Sequence, residues 1–194
     1  GRAPVAIGLL HADLDATQSR YAPVSRAALA QHGLDAWFVG HVHLPEPFSG
    51  RGHVGYLGSV VGLDRGETGD RGPWLVTADE AGTITAEHRP VGPVRWVAHT
   101  HAVDDLDARD EAAVRDAMLD ALQTVDRELV DPLSVFDAVA VRLRVTGEVD
   151  EPSALARAFE TVAEGDEPGL LDGARRLIVV DVDVEARGHV NLDA

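Results

Sequence analysis

The sequence predicts an α/β protein of two parts. Three features of its 194 residues support this: short apolar runs that suit strands, intervening stretches with helical spacing of apolar residues, and a break at Pro90 and Pro93. Hydrophobic residues make up 45% of the chain, which is enough to bury a real core. We therefore expect one domain over residues 1–92 and a second over residues 93–194.

In the first part, a strand, a helix and a strand are predicted in succession. Residues 5–10 form a nearly all-apolar run, as in a strand covered on both faces. Residues 23–32 have helical composition with Gly33 just past the end, and residues 36–39 form a second apolar run. Because a strand begins so early with no upstream partner strand, we expect the chain to be a piece of a longer protein.

The rest of the first part is predicted to consist mainly of loops. Residues 45–72 are rich in Gly and Pro, with one short strand expected at residues 54–57. Residues 74–78 and 83–88 flank a turn-type sequence, and they are predicted to pair as a β-hairpin. We interpret the Gly- and Pro-rich loops as surrounding a site.

The second part is predicted to run strand, helix, strand, helix, strand. Its strands are expected at residues 94–103, 139–145 and 177–184. One helix ends before Pro132 and the other has Pro152 in its first turn. Their apolar faces comprise Val114, Met118, Leu122, Val125 and Leu129 in the first helix, and Leu155, Phe159 and Val162 in the second.

The composition excludes several classes of function. The net charge is −16 and all 17 basic residues are Arg, so composition alone disfavours a nucleic-acid binder unless cations neutralise the acids. The absence of Cys excludes disulfides, zinc–cysteine sites and a cysteine nucleophile, and it favours the cytoplasm. No apolar run approaches the roughly 20 residues needed to cross a bilayer, and no signal peptide is evident, so no membrane association is expected.

Three histidines follow the predicted strands of the first part. His11 follows the first apolar run, and His41 and His43 follow the second, next to Gly40. A His-x-His pair at a strand end directs both rings to the same side of the sheet, and imidazole is the commonest neutral metal ligand. Sites in open α/β sheets gather at the carboxyl ends of strands. These histidines are therefore candidate metal ligands, although an isolated His-x-His pair is more often a pair of polar loop residues.

A second His-x-His pair serves as an internal control. His99 and His101 lie inside a predicted strand of the second part and have no glycine beside them, so we interpret them as surface residues. The acidic stretches at residues 104–111 and 148–151 precede predicted helices, where negative charge favours the helix N-terminus. They require no functional explanation.

Two short motifs resemble those of calcineurin-like metallophosphoesterases. Residues 8–11, Gly-Leu-Leu-His, resemble the GxxH motif, and residues 40–43, Gly-His-Val-His, resemble the GHxH motif. Further segments are similar to bacterial SbcD-type exonucleases, and they lie at residues 21–23, 33–37, 56–59, 66–72 and 94–96. The resemblance is specific over about residues 5–96 and looser beyond, where it rests on the order of elements.

The resemblance implies a fold and a chemistry. Residues 1–92 would form the C-terminal half of a metallophosphoesterase sheet sandwich, and residues 93–194 a small β-α-β-α-β capping domain that orients DNA. Members of the family hold two divalent cations, Mn²⁺ or Mg²⁺, which activate a water for attack on a phosphodiester. By this resemblance, His11 and His41 would bind one metal and His43 the other.

The family's other motifs, DxH, GDxxD and GNHD, do not occur in this sequence. They supply the bridging Asp, the Asn ligand and the His that protonates the leaving group, so no catalytic residue is expected here. We expect the chain alone to be inactive and to bind at most one metal, weakly. Arg51, Arg65 and Arg71 lie in loops near the expected site and are candidate phosphate contacts, although loop arginines are more often solvated.

The resemblance implies a fragment of a manganese-dependent DNA exonuclease and endonuclease. The intact enzyme would act on DNA in repair together with an SbcC-like ATPase. A homodimer of the intact enzyme is a further possibility. A phosphoesterase for small nucleotides or phosphoproteins is an alternative within the enzyme class. A non-catalytic interaction module, in which the second domain docks a partner, is an alternative outside that class.

Overall fold

The chain divides into two compact units. The first unit comprises Gly1–Leu63 and Asp70–Gly92, and the second comprises Asp64–Gly69 and Pro93–Ala194. The computed structural model describes residues 5–129, 136–165, 171–172 and 175–189. Within these ranges, every helix is too short or too polar to span a membrane.

A three-stranded parallel sheet forms the centre of the first unit, with strand order β1-β4-β5. The elements of this unit are β1 (Ile7–His11), β2 (Asp13–Leu14), β3 (Pro23–Val24), α1 (Arg26–Gln31), β4 (Ala36–Gly40), β5 (His53–Tyr56), β6 (Trp74–Ala78) and β7 (Ile84–His88). β2 and β3 form a short parallel ladder. The predicted hairpin is present as the antiparallel pair β6 and β7.

Trp37 joins the helix of the first unit to its sheet. Its indole N–H donates a hydrogen bond to the carbonyl of Leu29 in α1, at 3.0 Å. Opposite Trp37, in the register between β1 and β4, lies Gly8, where an added Cβ atom would collide with the indole ring. The glycine of the predicted GxxH motif is therefore a packing requirement in this fold.

The helix of the first unit begins later than the sequence predicted. Ser25 caps α1 by accepting a hydrogen bond from the backbone N–H of Ala28, at 3.1 Å. Pro23 and Val24 lie before the cap and pair with β2 instead. The residue preceding a proline is disfavoured in helical conformation, and Ala22 has a left-handed φ of 48°. These constraints place the start of the helix after Val24.

Two small hydrophobic clusters cover the first sheet. Val39 and Leu29 belong to the cluster on the α1 side, which also contains Ala12, Leu14 and Tyr56. Phe38 points to the other face of β4 and packs with Ala36 and Ile84. Consecutive residues of β4 thus serve opposite clusters, as the two-residue period of a strand requires. On the edge strand β1, by contrast, the side chain of Leu9 is 75% exposed.

The second unit has the predicted order of strands and helices. Its elements are β8 (Val94–Ala102), α2 (Glu111–Glu128), β9 (Ala138–Thr146), β10 (Glu148–Val149), α3 (Pro152–Glu164), β11 (Leu171–Asp172), β12 (Arg175–Val184) and β13 (Arg187–Gly188). The main sheet has the order β11-β12-β9-β8, in which β12, β9 and β8 are parallel and β11 is antiparallel. The predicted α/β fold class is therefore confirmed.

The main sheet of the second unit buries one face under its two helices. Val139, Val141, Leu143 and Val145 of β9 are all buried in one core cluster with residues of α2 and α3. The alternate residues Arg142 and Arg144 face away from this core and pair with acidic residues of β12. The strands therefore alternate between a helix-covered apolar face and a charged face.

The interpretation of His99 and His101 as surface residues is wrong. The side chain of His101 is only 16% exposed, and its Nε2 lies 3.9 Å from a carboxylate oxygen of Asp120 in α2. The Nε2 atom of His99 is buried and has no hydrogen-bond partner among the described residues. Both histidines share the strand face of Val97, which packs against the core, so the alternation of β8 turns them towards α2.

The segment Asp64–Gly69 was expected in the first domain but groups with the second unit. Gly69 forms an antiparallel bridge with Trp96 of β8, and its N–H donates to the Trp96 carbonyl at 3.0 Å. Arg65 approaches Asp181 of β12 at 3.6 Å. Backbone pairing and charge thus connect this loop to the second sheet.

Candidate functional site

The parallel pairing of β1 and β4 brings two of the predicted histidines together. In this register His11 lies opposite Gly40, and His41 is the next residue after β4. The two imidazole rings have centroids 5.4 Å apart in an edge-to-face arrangement. Both rings therefore lie at the carboxyl edge of the same sheet, which is where sites in parallel α/β sheets form.

Gly40 provides the space for this pair. A Cβ atom added at Gly40 would lie 3.0 Å from Nδ1 of His11, closer than nearly all real Cβ contacts. Any larger residue at this position would push the His11 ring away. The glycine of the GHxH-like motif thus adapts the strand end to the neighbouring imidazole.

His41 adopts an unusual backbone conformation and contacts a second aromatic ring. Its φ angle is 115°, a region that residues other than glycine rarely occupy. Strained backbone of this kind concentrates at functional sites. The Tyr21 ring lies 4.9 Å from the His41 ring, centroid to centroid, on a loop that follows β2. His41 therefore has an aromatic neighbour in His11 and another in Tyr21.

The backbone of His43 is bonded to Ser59. The Ser59 backbone N–H donates to the carbonyl of His43 at 3.0 Å, and the Ser59 hydroxyl lies 3.4 Å from the same oxygen. The side chain of His43 is exposed. Across the described residues, no three His, Asp or Glu side chains come together in a group that could hold a metal ion. The described residues thus do not fit a complete two-metal centre, and His11 and His41 stay candidate ligands.

A charged network joins the chain segments that follow the histidines, and it was not found from the sequence. Arg26, at the start of α1, donates to both carboxylate oxygens of Glu46, at 2.9 and 2.7 Å. Its Nε also donates to Asp15 at 3.0 Å, and its Nη1 to the Val54 carbonyl at 2.6 Å. Asp15 directly follows β2, four residues after His11, while Glu46 lies three residues beyond His43. The guanidinium therefore connects the two histidine-bearing loops.

The network shifts the protonation of its members towards the charged forms. Hydrogen bonds from the Arg26 side chain lower the pKa of Glu46, with a further contribution from the Tyr56 backbone N–H at 3.0 Å. The same side-chain hydrogen bonds raise the pKa of Arg26. Both groups therefore stay ionised at neutral pH, and the bidentate contact is a charge-assisted pair.

Tyr56 and His53 of β5 lie next to this network. The Tyr56 hydroxyl accepts a 2.6 Å hydrogen bond from the backbone N–H of Leu14 in β2. His53 is 4% exposed and lies against the rings of Phe38 and Phe48, and this burial lowers its pKa. His53 is therefore a core histidine, which favours a structural role over metal binding.

The three predicted phosphate contacts have different surroundings. Arg51 is exposed and forms an ion pair with the buried carboxylate of Asp35. Arg65 belongs to the second unit, where it approaches Asp181. Arg71 is only 6% exposed, and its guanidinium donates to the Asp70 carbonyl at 2.9 Å. Each guanidinium thus has a structural partner or is withdrawn from solvent.

Sequence reasoning missed the roles of Tyr21, Arg26 and Glu46. Tyr21 was recognised as part of a segment similar to known exonucleases, but its contact with His41 depends on how the loop folds back. Arg26 and Glu46 are 20 positions apart, and no periodicity links them. Their ion pair can be recognised only in the three-dimensional structure.

No family model matches the chain, whereas a comparison with known proteins found a relative. Over 152 residues, or 77% of the chain, the sequence is 30% identical to the uncharacterized metallophosphoesterase YhaO of Bacillus subtilis (strain 168). The chain spans 35% of the length of that relative. The similarity therefore covers most of this chain and about a third of a longer protein.

Proposed function

We propose that this chain, a distant homologue of a metallophosphoesterase, is the C-terminal part of a metal-dependent phosphodiesterase of the SbcD type. The observation that carries the proposal is the His11–His41 pair at the carboxyl edge of one parallel sheet, with ring centroids 5.4 Å apart. Two adjacent imidazoles beside strained backbone are typical of a metal site. The homologue's description independently supports phosphoester chemistry.

In this proposal the chain contributes ligands from one side of a two-metal centre. Two divalent cations, Mn²⁺ or Mg²⁺, supply Lewis acidity and an activated water when both are bound. His11 and His41 would hold one cation, and His43 would approach the other. The remaining ligands would come from residues other than the described ones. Gly40 has no side chain, and it therefore leaves room for the His11 imidazole at the end of the strand.

The substrate and partner that we propose are DNA and an SbcC-like ATPase. The charge of the first unit is compatible with a polyanion, because it contains eight acidic residues against six arginines. Bound cations would turn this near balance into a local excess of positive charge, which attracts phosphodiesters. The proposed role is DNA cleavage in repair.

A second candidate substrate class is favoured by the charge of the second unit. That unit carries 25 of the 33 acidic residues and 11 of the 17 arginines. Such an excess of negative charge repels a DNA backbone. A small nucleotide or a phosphoprotein has fewer phosphates than duplex DNA, so it would suffer less from this repulsion. The two candidates therefore differ in substrate size.

Calorimetric titration with Mn²⁺ tests the metal site in this chain. We expect weak binding of at most one ion to the unaltered chain and no binding to the His41→Ala variant. His32→Ala is the matched control, because His32 is an exposed histidine at the C-terminal end of α1. Undiminished binding to the His41→Ala variant would contradict the proposal.

Hydrolysis assays with Mn²⁺ test the reaction and the substrate. We expect this chain alone to leave linear duplex DNA, single-stranded DNA and bis(p-nitrophenyl) phosphate intact. A longer protein that contains this sequence should cleave DNA and lose that activity in the His43→Ala variant. Hydrolysis of small nucleotides without DNA cleavage would favour the second candidate. Metal-dependent cleavage by this chain that disappears in its His43→Ala variant would overturn the half-site proposal.

A further inference from the structure

We infer that Tyr21 is a positioning residue for the imidazole of His41, an inference that rests on the metal site proposed above. The Tyr21 and His41 rings have centroids 4.9 Å apart and an interplanar angle of 34°. His11 contacts His41 at 5.4 Å in an edge-to-face arrangement. The His41 ring thus lies against two aromatic neighbours, and Tyr21 is the one that is not itself a candidate ligand.

His41 depends on such contacts because little else fixes its ring. It directly follows β4, and its φ of 115° places it outside the conformations that strand neighbours normally impose. Among the residues that the structure describes, no hydrogen bond reaches its imidazole. Ring contacts are therefore what restrict its side-chain torsions. An imidazole that must bind a cation loses less entropy on binding when its orientation is already restricted.

The position of Tyr21 is itself determined by the segment that carries His11. The Tyr21 carbonyl accepts a 3.0 Å hydrogen bond from the backbone N–H of Asp13, two residues after His11. Its own N–H lies 3.0 Å from the hydroxyl of Ser19. Beyond it, Ala22 turns the chain with φ at 48° into β3, which pairs with β2. His11 and Tyr21 are thus held in register by the same short ladder.

Tyr21 is also a residue that can be replaced without opening a core. Its side chain is 61% exposed, and it belongs to neither hydrophobic cluster of the first unit. The contact that its ring makes is with the His41 imidazole. Contacts of this kind correspond to roughly a two- to tenfold effect on an equilibrium.

Two variants distinguish the effect of the Tyr21 ring from the effect of its hydroxyl and from a general loss of folding. Tyr21→Phe keeps the ring and should behave as the unaltered chain. Tyr21→Leu keeps an apolar side chain but removes the ring, and it should weaken Mn²⁺ binding about two- to tenfold. Leu75→Ala is the control for loss of exposed apolar surface, because Leu75 of β6 is 52% exposed. Circular dichroism of each variant verifies the fold.

A metal-free measurement tests the inference independently of the metal site. With ¹³C-labelled histidine, NMR relaxation reports the order of the His41 ring in the absence of cations. We expect the order parameter of the His41 Cε1–H bond to fall in Tyr21→Leu and to be preserved in Tyr21→Phe. An unchanged value in Tyr21→Leu, or an equal fall in Tyr21→Phe, would overturn the role of Tyr21.

Mn²⁺ then distinguishes failure of this inference from failure of the proposed function. Bound Mn²⁺ broadens the NMR signals of nearby nuclei, so the His11 and His41 signals should broaden first in the unaltered chain. Absence of this selective broadening would contradict the proposed metal site. The order parameter of the His41 ring, measured without metal, would still test the role of Tyr21. Equal broadening in the unaltered chain and in Tyr21→Leu would support the metal site and reject the positioning role.

Discussion

The two units are stabilised in different ways. The second unit has one continuous core, in which β9 and β12 pack against α2 and α3. The first unit has two smaller clusters on opposite faces of its sheet, and its loops are joined by the Arg26 network. The unit that carries the candidate site thus has the smaller hydrophobic clusters. Precise placement of loops, more than core size, is what a site at a strand edge requires.

Charge divides the chain along the same boundary. The first unit is close to balance, whereas the second has 25 acidic residues and 11 arginines. In the second unit several of these charges pair across strands, as between Arg142 and Asp181 at 3.5 Å. The acidic character of the whole chain therefore says little about the surface around the histidines. A net charge computed over a whole chain conceals such a division.

The largest expected effect comes from a core substitution in the second unit. Phe159 is fully buried, and Phe159→Ala should lower the free energy of unfolding by about 3–5 kcal/mol. Leu29→Ala in the first unit should cost less, near the lower end of about 2–5 kcal/mol, because its small cluster can collapse around the cavity. Hydrogen exchange with mass spectrometry measures each effect in peptides of the affected unit.

The same hydrogen-exchange experiment tests whether the two units unfold independently. Phe159→Ala should speed exchange in β9 and β12 and leave β1 and β4 nearly unchanged. Val180→Ala in β12 is the control for a substitution outside the core, because Val180 is 44% exposed. If exchange increases equally in all four strands, then the two units unfold together and their separate treatment is wrong.

The second largest effect should come from the close packing at Gly8. The side chain introduced in Gly8→Ala collides with the Trp37 ring, so the first unit should lose about 1–3 kcal/mol of unfolding free energy. Gly188→Ala is the matched control in the second unit, because an added Cβ atom there meets no neighbour within 4 Å. Urea unfolding followed by exchange in each unit is the measurement. A Gly8→Ala protein as stable as the control would show that the Trp37 ring can move aside without cost.

Much of the fold could be predicted from sequence because its main elements follow simple periodicities. The alternation of β9 and the helical spacing of α2 and α3 each reflect one buried face, which a linear pattern records. The short ladder of β2 and β3 could not be predicted, because two-residue strands have no period. The prediction that His99 and His101 lie at the surface was wrong for a related reason. The helices cover one face of β8, and these two polar residues lie on that face.

The candidate site was predictable to the extent that strand ends determine it. His11 and His41 meet because parallel strands end at the same edge of the sheet, which the sequence order already implied. The loops are different, since Tyr21 and Arg26 reach their partners through the fold of a segment without periodicity. The burial of Arg71 likewise depends on how its loop packs. Predictions about His43 as a metal ligand and about all three arginines as phosphate contacts remain predictions.

A moderate effect is expected from the Arg26–Glu46 pair. Both side chains are about one-third exposed, so solvent screening limits their coupling to about 1 kcal/mol. A double-mutant cycle with Arg26→Met and Glu46→Gln measures it at pH 7. Because the pKa of Glu46 is lowered in the folded state, its contribution is present above its ordinary pKa of 4.5 and is lost as pH falls below that value. A coupling that persists well below this pH would contradict the ionic assignment.

The smallest effects should come from the buried His53 of the first unit and the partly buried His101 of the second. Burial lowers the pKa of both His53 and His101 from the ordinary value of 6.5, so the folded protein favours their neutral forms. Below pH 6.5 the unfolded chain takes up these protons more readily, and the unfolding free energy therefore falls as pH drops until the folded-state pKa is reached. His53→Gln should flatten this dependence for β4 and β5, and His101→Gln should flatten it for β8. Hydrogen exchange between pH 5 and pH 8, corrected for the intrinsic exchange rate, resolves the two units. Their responses should be independent, because each histidine is buried in its own unit. If His53→Gln flattened the pH dependence of β8 as well, the two units would be energetically coupled and the contrast between them would have to be abandoned.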